Sequence, residues 1–176
     1  MSGFLRAMSF RSACIIGAAL CAGLLGFGFF LQYVIDLHPC PLCLVQRGFY
    51  FGMLAVFVLG ALHAPSGFGT RVYGVLALLF GLGGIGTAGR QVWLQHLPAD
   101  KVPECGPDLY YMMENFPLAR TITNLFKGSG ECAAVDWTYL GLSIAEWSLV
   151  WFVLLCVACL WLALRRNPAR RPDPAT

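Results

Sequence analysis

Four long apolar stretches constrain this chain more than any other feature of its sequence. They lie at about 13–34, 44–64, 72–90 and 146–164, and they contain very few charged residues. A helix of roughly 17–25 apolar residues crosses a bilayer core, so each stretch is long enough to span it. The sequence, which is 58% hydrophobic and 12% charged, therefore predicts an all-α integral membrane protein. We expect one membrane domain over residues 1–176, folded as a four-transmembrane-helix bundle.

The arginines indicate how this bundle lies in the membrane. Lys and Arg concentrate on the cytoplasmic side of membrane proteins. Here arginines precede the first span, occupy the joint between the second and third spans, and follow the fourth: Arg6, Arg11, Arg71, Arg165, Arg166, Arg170 and Arg171. Both termini are therefore predicted to be cytoplasmic. The loops at about 35–43 and 91–145 are predicted to face outward.

Two other classes of protein are disfavoured. The net charge of +3 comes without a stripe of basic residues interleaved with aromatics, which argues against nucleic-acid binding. The run from Gly81 to Gly86 matches G-x-G-x-x-G, but no βαβ unit surrounds it as a dinucleotide site requires. Its glycines, with the small pairs Gly83/Thr87 and Gly84/Ala88, instead predict close helix packing in lipid.

The segment "HPCPLCLVQR" places Cys40 and Cys43 where the second span begins. The positive end of a helix dipole and a nearby cation both favour the thiolate form of cysteine, and Arg47 lies one turn beyond Cys43. Pro39 and Pro41 fit a chain entering a helix. A cation slightly inside the hydrocarbon boundary either extends its side chain to the headgroups or has a functional partner. The spacing therefore predicts a reactive thiol pair, although a structural turn with a stable disulfide remains an alternative.

The long outer loop contains two more cysteines, Cys105 in "PECGP" and Cys132 in "GECAA". On the oxidising side of a membrane such a pair can close a disulfide. Between them, "FPLARTITNLFK" places several apolar residues on one helical face: Phe116, Leu118, Ile122, Leu125 and Phe126. We therefore expect a short amphipathic helix that lies on the membrane and keeps the loop near the C-x-x-C.

The other four cysteines are predicted to be packing residues. Cys156 and Cys159 form a second C-x-x-C, but it lies inside the fourth span among Val, Leu and Trp. Apolar surroundings keep a thiol protonated and inert. Cys14 and Cys21 lie seven apart on the first span, where cysteine behaves as a small apolar residue.

Taken together, these features resemble one known family. The chain is similar to the DsbB family of quinone-dependent disulfide bond formation proteins. The similarity lies in "CPLCLVQR" at the start of the second span, in four spans with both ends cytoplasmic, in the outer Cys105/Cys132 pair and in the following "DWTYLGLSIAEWSL". The resemblance covers nearly the whole chain. It implies a bacterial inner (cytoplasmic) membrane protein with its active cysteines on the periplasmic side.

The resemblance also implies roles for individual residues. Cys105 and Cys132 match a loop disulfide that oxidises a periplasmic thioredoxin-like partner, DsbA, and Cys105 matches the position that forms the mixed disulfide. Cys40 and Cys43 match the pair that reoxidises the loop, with Cys43 facing a quinone, either ubiquinone or menaquinone. Arg47 matches an arginine of the quinone site. Some relatives carry a histidine beside the quinone at a position where this chain has Gln91.

The energetics of the implied reaction require a strong electron acceptor. DsbA has a potential of about −120 mV, and a structural disulfide near −300 mV could not oxidise it unaided, because 30 mV corresponds to about 1.4 kcal/mol. Four alternatives stay open. One is a dedicated relative that serves a different thioredoxin-like partner. A vitamin K epoxide reductase-like enzyme usually carries its C-x-x-C late in the bundle, a metal-binding protein would hold zinc through His38, Cys40, Cys43 and a loop cysteine, and a structural tetraspan would use disulfides only to staple its loop.

Overall fold

The computed structural model describes residues 9–102, 117, 130–135 and 137–164. This part of the chain forms four long helices: α1 at Phe10–Tyr33, α2 at Pro41–His63, α3 at Phe68–Gln95 and α4 at Ile144–Leu164. All four are long and apolar enough to cross a membrane. The predicted all-α, four-helix membrane fold is therefore confirmed. Apart from Pro117, the residues of the expected amphipathic helix around Phe116–Phe126 lie outside the described residues.

The helices pack in chain order, α1 against α2, α2 against α3, and α3 against α4. The end of α3 meets the starts of α2 and α4, because Gln91 contacts Cys40 and Gln95 contacts Ser143. The end of α1 reaches the same region, where the carbonyl of Gly28 accepts a hydrogen bond from Arg47. We call this end of the bundle the site end.

The glycines of α3 let this helix pack closely on its neighbours. A Cβ atom added at Gly84 would lie 2.2 Å from the ring of Phe152 on α4, and one at Gly83 would lie 2.3 Å from the ring of Phe49 on α2. Real Cβ atoms do not approach other atoms so closely, so a larger residue at either position would force the facing ring to move. The glycine run thus has a packing role, as its sequence predicts.

Side-chain caps fix where two of the helices begin at the site end. Cys40 is the N-cap of α2, where its sulfur accepts a hydrogen bond from the backbone N–H of Cys43, and Pro41 follows in the first turn. At α4, the Ser143 hydroxyl accepts from the N–H of Glu146, whose carboxylate accepts from the N–H of Ser143. This reciprocal pair is a capping box, and it matches the sequence pattern Ser-x-x-Glu.

A short hairpin leads the chain into α4. Strand β1, Thr138–Tyr139, pairs with β2, Leu142–Ser143, in antiparallel register. The turn between them places Leu140 and Gly141 at positive φ, which suits the right-handed twist of a two-residue hairpin. Two short 3-10 turns, Ala99–Lys101 and Gly130–Cys132, also lie in the loop that joins α3 to α4.

Candidate functional site

Cys40 and Cys43 lie together at the start of α2. Their sulfurs are 3.0 Å apart, and Cys40 donates the hydrogen bond between them. A disulfide bond is about 2.05 Å long, so a small side-chain movement would bring the two sulfurs to bonding distance. The pair lies at the N-terminus of α2, so Cys43 is at the positive end of the helix dipole, as the sequence predicts. The two thiols are therefore placed for reversible disulfide formation.

Cys132 approaches the same pair from the loop. It is fully buried at the end of the 3-10 turn, where it packs with Leu42 and Leu94 in a small apolar cluster that also contacts Cys40. Its thiol forms a hydrogen bond with that of Cys40. Hydrogen bonding to Cys132 and then to Cys43, together with burial, raises the pKa of Cys40 well above its usual range. Three sulfurs thus form a connected array in which Cys40 is the middle member.

Cys105, the other predicted loop cysteine, lies outside the described residues. The predicted site residues that the structure does describe, Cys40, Cys43, Cys132 and Arg47, all lie at the site end. Within the described ranges, no group of three or more His, Cys, Asp or Glu side chains has an arrangement that could hold a metal ion.

A cavity of about 850 Å³ opens beside Cys43. All four helices contribute to its wall, including Leu24 and Leu31 of α1, Tyr50 of α2 and Trp151 of α4. Cys40 and Cys43 both line the cavity, whereas Cys132 does not. Its volume lies within the usual range for small-molecule sites, and mostly apolar walls with a few polar groups are typical of such sites.

Arg47 is held at the cavity wall by the end of α1. Its guanidinium donates to the backbone carbonyl of Gly28 at 2.9 Å and to the side-chain oxygen of Gln32, and it lies 5.0 Å from the ring centre of Phe29. These contacts give a cation inside a membrane-spanning helix the partners that it needs. They also fix its position relative to the cavity, which Arg47 lines.

Two buried amides complete the surroundings of the sulfurs. Gln91 on α3 donates from its side-chain nitrogen to the sulfurs of both Cys40 and Cys43, at 3.3 Å each. Gln46 on α2 donates to the side-chain oxygen of Gln91 at 2.7 Å. Sequence reasoning missed Gln46 altogether. The sequence gives little indication of this role, because a single glutamine next to Arg47 does not show which neighbouring helix it faces.

A cluster of aromatic side chains borders the cavity where the hairpin meets α4. Trp137 packs on Phe27 with ring centres 5.9 Å apart and stacks on Tyr139 at 6.0 Å. Trp147 donates from its indole nitrogen to the backbone carbonyl of Tyr139 at 3.0 Å. Indole and phenol side chains suit a membrane interface because each combines a large apolar ring with a polar group.

The second C-x-x-C has different surroundings. Cys156 and Cys159 are buried in the main core of the bundle, as are Cys14 and Cys21. A Cβ atom added at Gly81 would lie 2.5 Å from the Cys156 sulfur, so this thiol fills a close helix contact. None of these four cysteines lines the cavity. Their burial agrees with the packing role that their apolar neighbours predict.

Comparison with known proteins identifies the family. The family model described as disulfide bond formation protein DsbB matches residues 10–162. The chain belongs to the DsbB family. It is 47% identical over 154 residues to a protein of Nitrosococcus oceani named disulfide bond formation protein B, covering 88% of this chain and 91% of that protein.

Two other members of the DsbB family carry the same name. The protein of Hahella chejuensis is 54% identical over 132 residues, covering 75% of this chain and 80% of its own length. The protein of Marinobacter nauticus is 48% identical over 151 residues, covering 86% and 90%. The family resemblance seen in the sequence is thus confirmed. The chain is a multi-pass membrane protein of the DsbB family of disulfide bond formation proteins.

Proposed function

We propose that this protein reoxidises a periplasmic thioredoxin-like thiol oxidase, similar to DsbA, and passes the electrons through two cysteine pairs to a membrane quinone. The redox pairs are Cys105/Cys132 and Cys40/Cys43. One observation carries the proposal: the array of Cys132, Cys40 and Cys43 sulfurs ends at a cavity. A chain of sulfurs in contact suits sequential thiol–disulfide exchange, in which a thiolate attacks a disulfide sulfur.

The first exchange takes place in the loop. A thiolate of the reduced partner attacks the Cys105–Cys132 disulfide at Cys105 and forms a mixed disulfide, which releases Cys132. The second thiol of the partner then displaces Cys105. The partner leaves with a disulfide, and Cys105 and Cys132 are left as a dithiol that holds the two electrons.

The second exchange uses the contact between Cys132 and Cys40. Cys132 attacks the Cys40–Cys43 disulfide at the Cys40 sulfur, and Cys43 leaves as a thiolate. Cys105 then displaces Cys40 from Cys132, so the loop disulfide closes and Cys40 and Cys43 are left reduced. The N-terminus of α2 stabilises the leaving thiolate, since Cys43 lies in the first turn of this helix.

The residues around the cavity fit a quinone. The cavity joins apolar walls to a reactive sulfur and to the donor Arg47, which suits an apolar ring that carries carbonyl oxygens. When bound, a quinone supplies an acceptor for two electrons and two protons. Cys40 and Cys43 give up two electrons as their disulfide forms again. The Cys40 thiol supplies one proton, and the second comes from solution because Cys43 is already a thiolate. Arg47 would bind and orient the acceptor beside Cys43 through its fixed guanidinium.

The proposed setting is the bacterial inner membrane, with the site end on the periplasmic side. The arginines near both chain termini support this orientation. Disulfide chemistry also requires it, because the periplasm is oxidising whereas cytosolic thiols are kept reduced.

One assay tests the proposal. The purified full-length protein is mixed with a reduced DsbA-like protein and a soluble ubiquinone analogue, and quinone absorbance and partner thiols are followed together. We expect two partner thiols to disappear for each quinone reduced, in a reaction that requires the membrane protein. Loss of partner thiols without quinone reduction would contradict the quinone step, and no loss of thiols would contradict the partner. A separate zinc determination tests the metal-binding alternative.

A further inference from the structure

Gln46 and Gln91 are buried polar residues in the membrane part of the bundle. Each of the two residues is 4% exposed. Burying an amide away from water is costly unless its hydrogen bonds are made inside the protein. Apolar residues would pack there without this cost. A buried pair of amides at this position therefore indicates a chemical role.

The contacts of the pair give its two amides a fixed direction. Gln46 donates from its side-chain nitrogen to the oxygen of Gln91. That oxygen also accepts a hydrogen bond from the Cys43 thiol at 3.6 Å. The amide nitrogen of Gln91 lies closer, 3.3 Å from each of the two sulfurs, and it is the Gln91 group that can donate to a thiolate. If Gln91 alone were reversed, its nitrogen would meet the nitrogen of Gln46, and two donors would face each other. The hydrogen bond from Gln46 therefore favours the orientation in which the nitrogen of Gln91 faces the sulfurs.

We propose that Gln91 is a catalytic residue of this chain: its side-chain amide, oriented by Gln46, donates a hydrogen bond to the Cys43 sulfur while that sulfur is a thiolate. This inference rests on the proposed function, because it assigns Gln91 to the step in which Cys43 is the leaving group and then the electron donor. In the part of the chain that the structure describes, Gln46 makes no hydrogen bond to a sulfur. It is therefore a positioning residue.

The chemistry of an amide suits this role. Hydrogen bonds to an ionised acceptor are stronger than neutral ones, so the Gln91 amide favours the thiolate over the protonated thiol. The NH₂ group has two hydrogens, and it contacts two sulfurs. An amide also does not ionise, so its donor is present at every pH. A histidine in this position would change its charge near pH 6.5, whereas glutamine keeps the sulfur environment constant.

The test measures the reactivity of Cys43 without quinone or partner. The reduced full-length protein is treated with iodoacetamide at about neutral pH, and peptide mass spectrometry follows alkylation of Cys43. The thiolate is the reacting species, so the rate reports its population. Gln91→Leu should lower the rate about tenfold, as expected when one hydrogen bond to a charged group is lost. Gln91→His retains a donor and should recover most of the rate.

A double-mutant cycle tests the role of Gln46. Gln46→Leu should slow alkylation by itself but have no further effect in the Gln91→Leu protein, because Gln46 acts through Gln91. Gln95→Leu is the matched control: Gln95 is also a glutamine of α3, but its oxygen accepts from Ser143 instead of facing the sulfurs. Its Cys43 alkylation rate should equal that of the natural protein.

The outcomes separate this inference from the proposed function. Equal Cys43 alkylation in the natural protein and in Gln91→Leu would overturn the role of Gln91, even if quinone is reduced. If Gln91→Leu does not fold, Gln46→Leu decides, and an unchanged rate there overturns the inference. Failure of the proposed function has a different signature: the natural protein would not reduce quinone, while Cys43 alkylation would still depend on Gln91.

Discussion

The thiol of Cys40 forms a hydrogen bond with the thiol of Cys132, which belongs to a different part of the chain. Cys132 reaches this position because its 3-10 turn packs into the apolar cluster of Leu42 and Leu94. The contact joins the loop to the C-x-x-C at the start of α2. In the proposed relay it sets Cys40 as the sulfur that the loop attacks, which makes Cys43 the leaving thiolate at the cavity wall.

Replacing Cys132 should change how Cys40 responds to pH. The hydrogen bond to Cys132 is the largest of the causes that raise the pKa of Cys40. A raised pKa keeps the thiol protonated, so alkylation of Cys40 should remain slow at about pH 8.5, where an ordinary cysteine is half ionised. Cys132→Ala should shift the alkylation profile of Cys40 toward lower pH. Mass spectrometry of the reduced protein after iodoacetamide treatment measures this profile.

Cys159→Ala provides the control for this experiment, since it removes a buried thiol from the bundle core. The Cys40 profile should be the same as in the natural protein. If Cys132→Ala also leaves the profile unchanged, the contact between Cys40 and Cys132 does not govern the ionisation of Cys40.

The two C-x-x-C motifs should differ in their importance for electron transfer. Cys43→Ser removes the proposed electron-donating sulfur at the cavity and should abolish quinone reduction while the protein still inserts into the membrane. Cys159→Ala alters the other motif, which is buried in the core away from the cavity, and turnover should remain near that of the natural protein. The partner-dependent loss of quinone absorbance measures both. Equal turnover in Cys43→Ser and the natural protein would show that Cys43 takes no part in the reaction.

Much of the fold follows from local sequence patterns. The four apolar stretches specify the spans, and the Ser-x-x-Glu pattern at Ser143 marks where α4 begins. The apolar windows underestimate α3, which begins at Phe68 and continues past Arg90 to Gln95. Arg90 is accommodated near the end of that helix, where its guanidinium lies 4.2 Å from the ring centre of Trp93.

The site is less predictable because its contacts are distant in sequence. The motif "CPLC" with Arg47 identifies one side of it from local spacing. Gln46 and Gln91 are 45 residues apart, and neutral amides carry no charge pattern or motif that would pair them. The meeting of Cys132 with Cys40 likewise depends on how the loop packs on α2 and α3, which no local periodicity encodes.

Arg47 should contribute to quinone binding through the geometry of its guanidinium. This group is held by Gly28 and Gln32 of α1, and a lysine ammonium cannot reproduce its planar array of donors. Arg47→Lys should therefore raise the KM for quinone by about tenfold, the effect of losing one charge-assisted hydrogen bond. Arg90→Lys is the matched control, because Arg90 lies on α3 and does not line the cavity. An equal KM in Arg47→Lys and the natural protein would contradict the role of Arg47.

Gly84 should be needed for the packing that supports the cavity. A Cβ atom there would lie 2.2 Å from the Phe152 ring, so Gly84→Ala should force the ring to move and cost about 1–3 kcal/mol of stability. Gly86→Ala is the control, since a Cβ at that position meets nothing within 4 Å. Thermal unfolding in detergent compares the two variants, and equal midpoints would show that the helices relax without cost.

The same substitution should also affect the cavity, because Phe152 stacks on Tyr50 with ring centres 4.1 Å apart. Tyr50 lines the cavity and its hydroxyl donates to the carbonyl of Ser148 at 3.3 Å. Displacement of Phe152 by Gly84→Ala should therefore shift Tyr50 and raise the KM for quinone. Because Cys40 and Cys43 are held by other contacts, their alkylation rates should stay unchanged. A rise in KM with unaltered thiol reactivity would separate the shape of the cavity from the chemistry of the sulfurs.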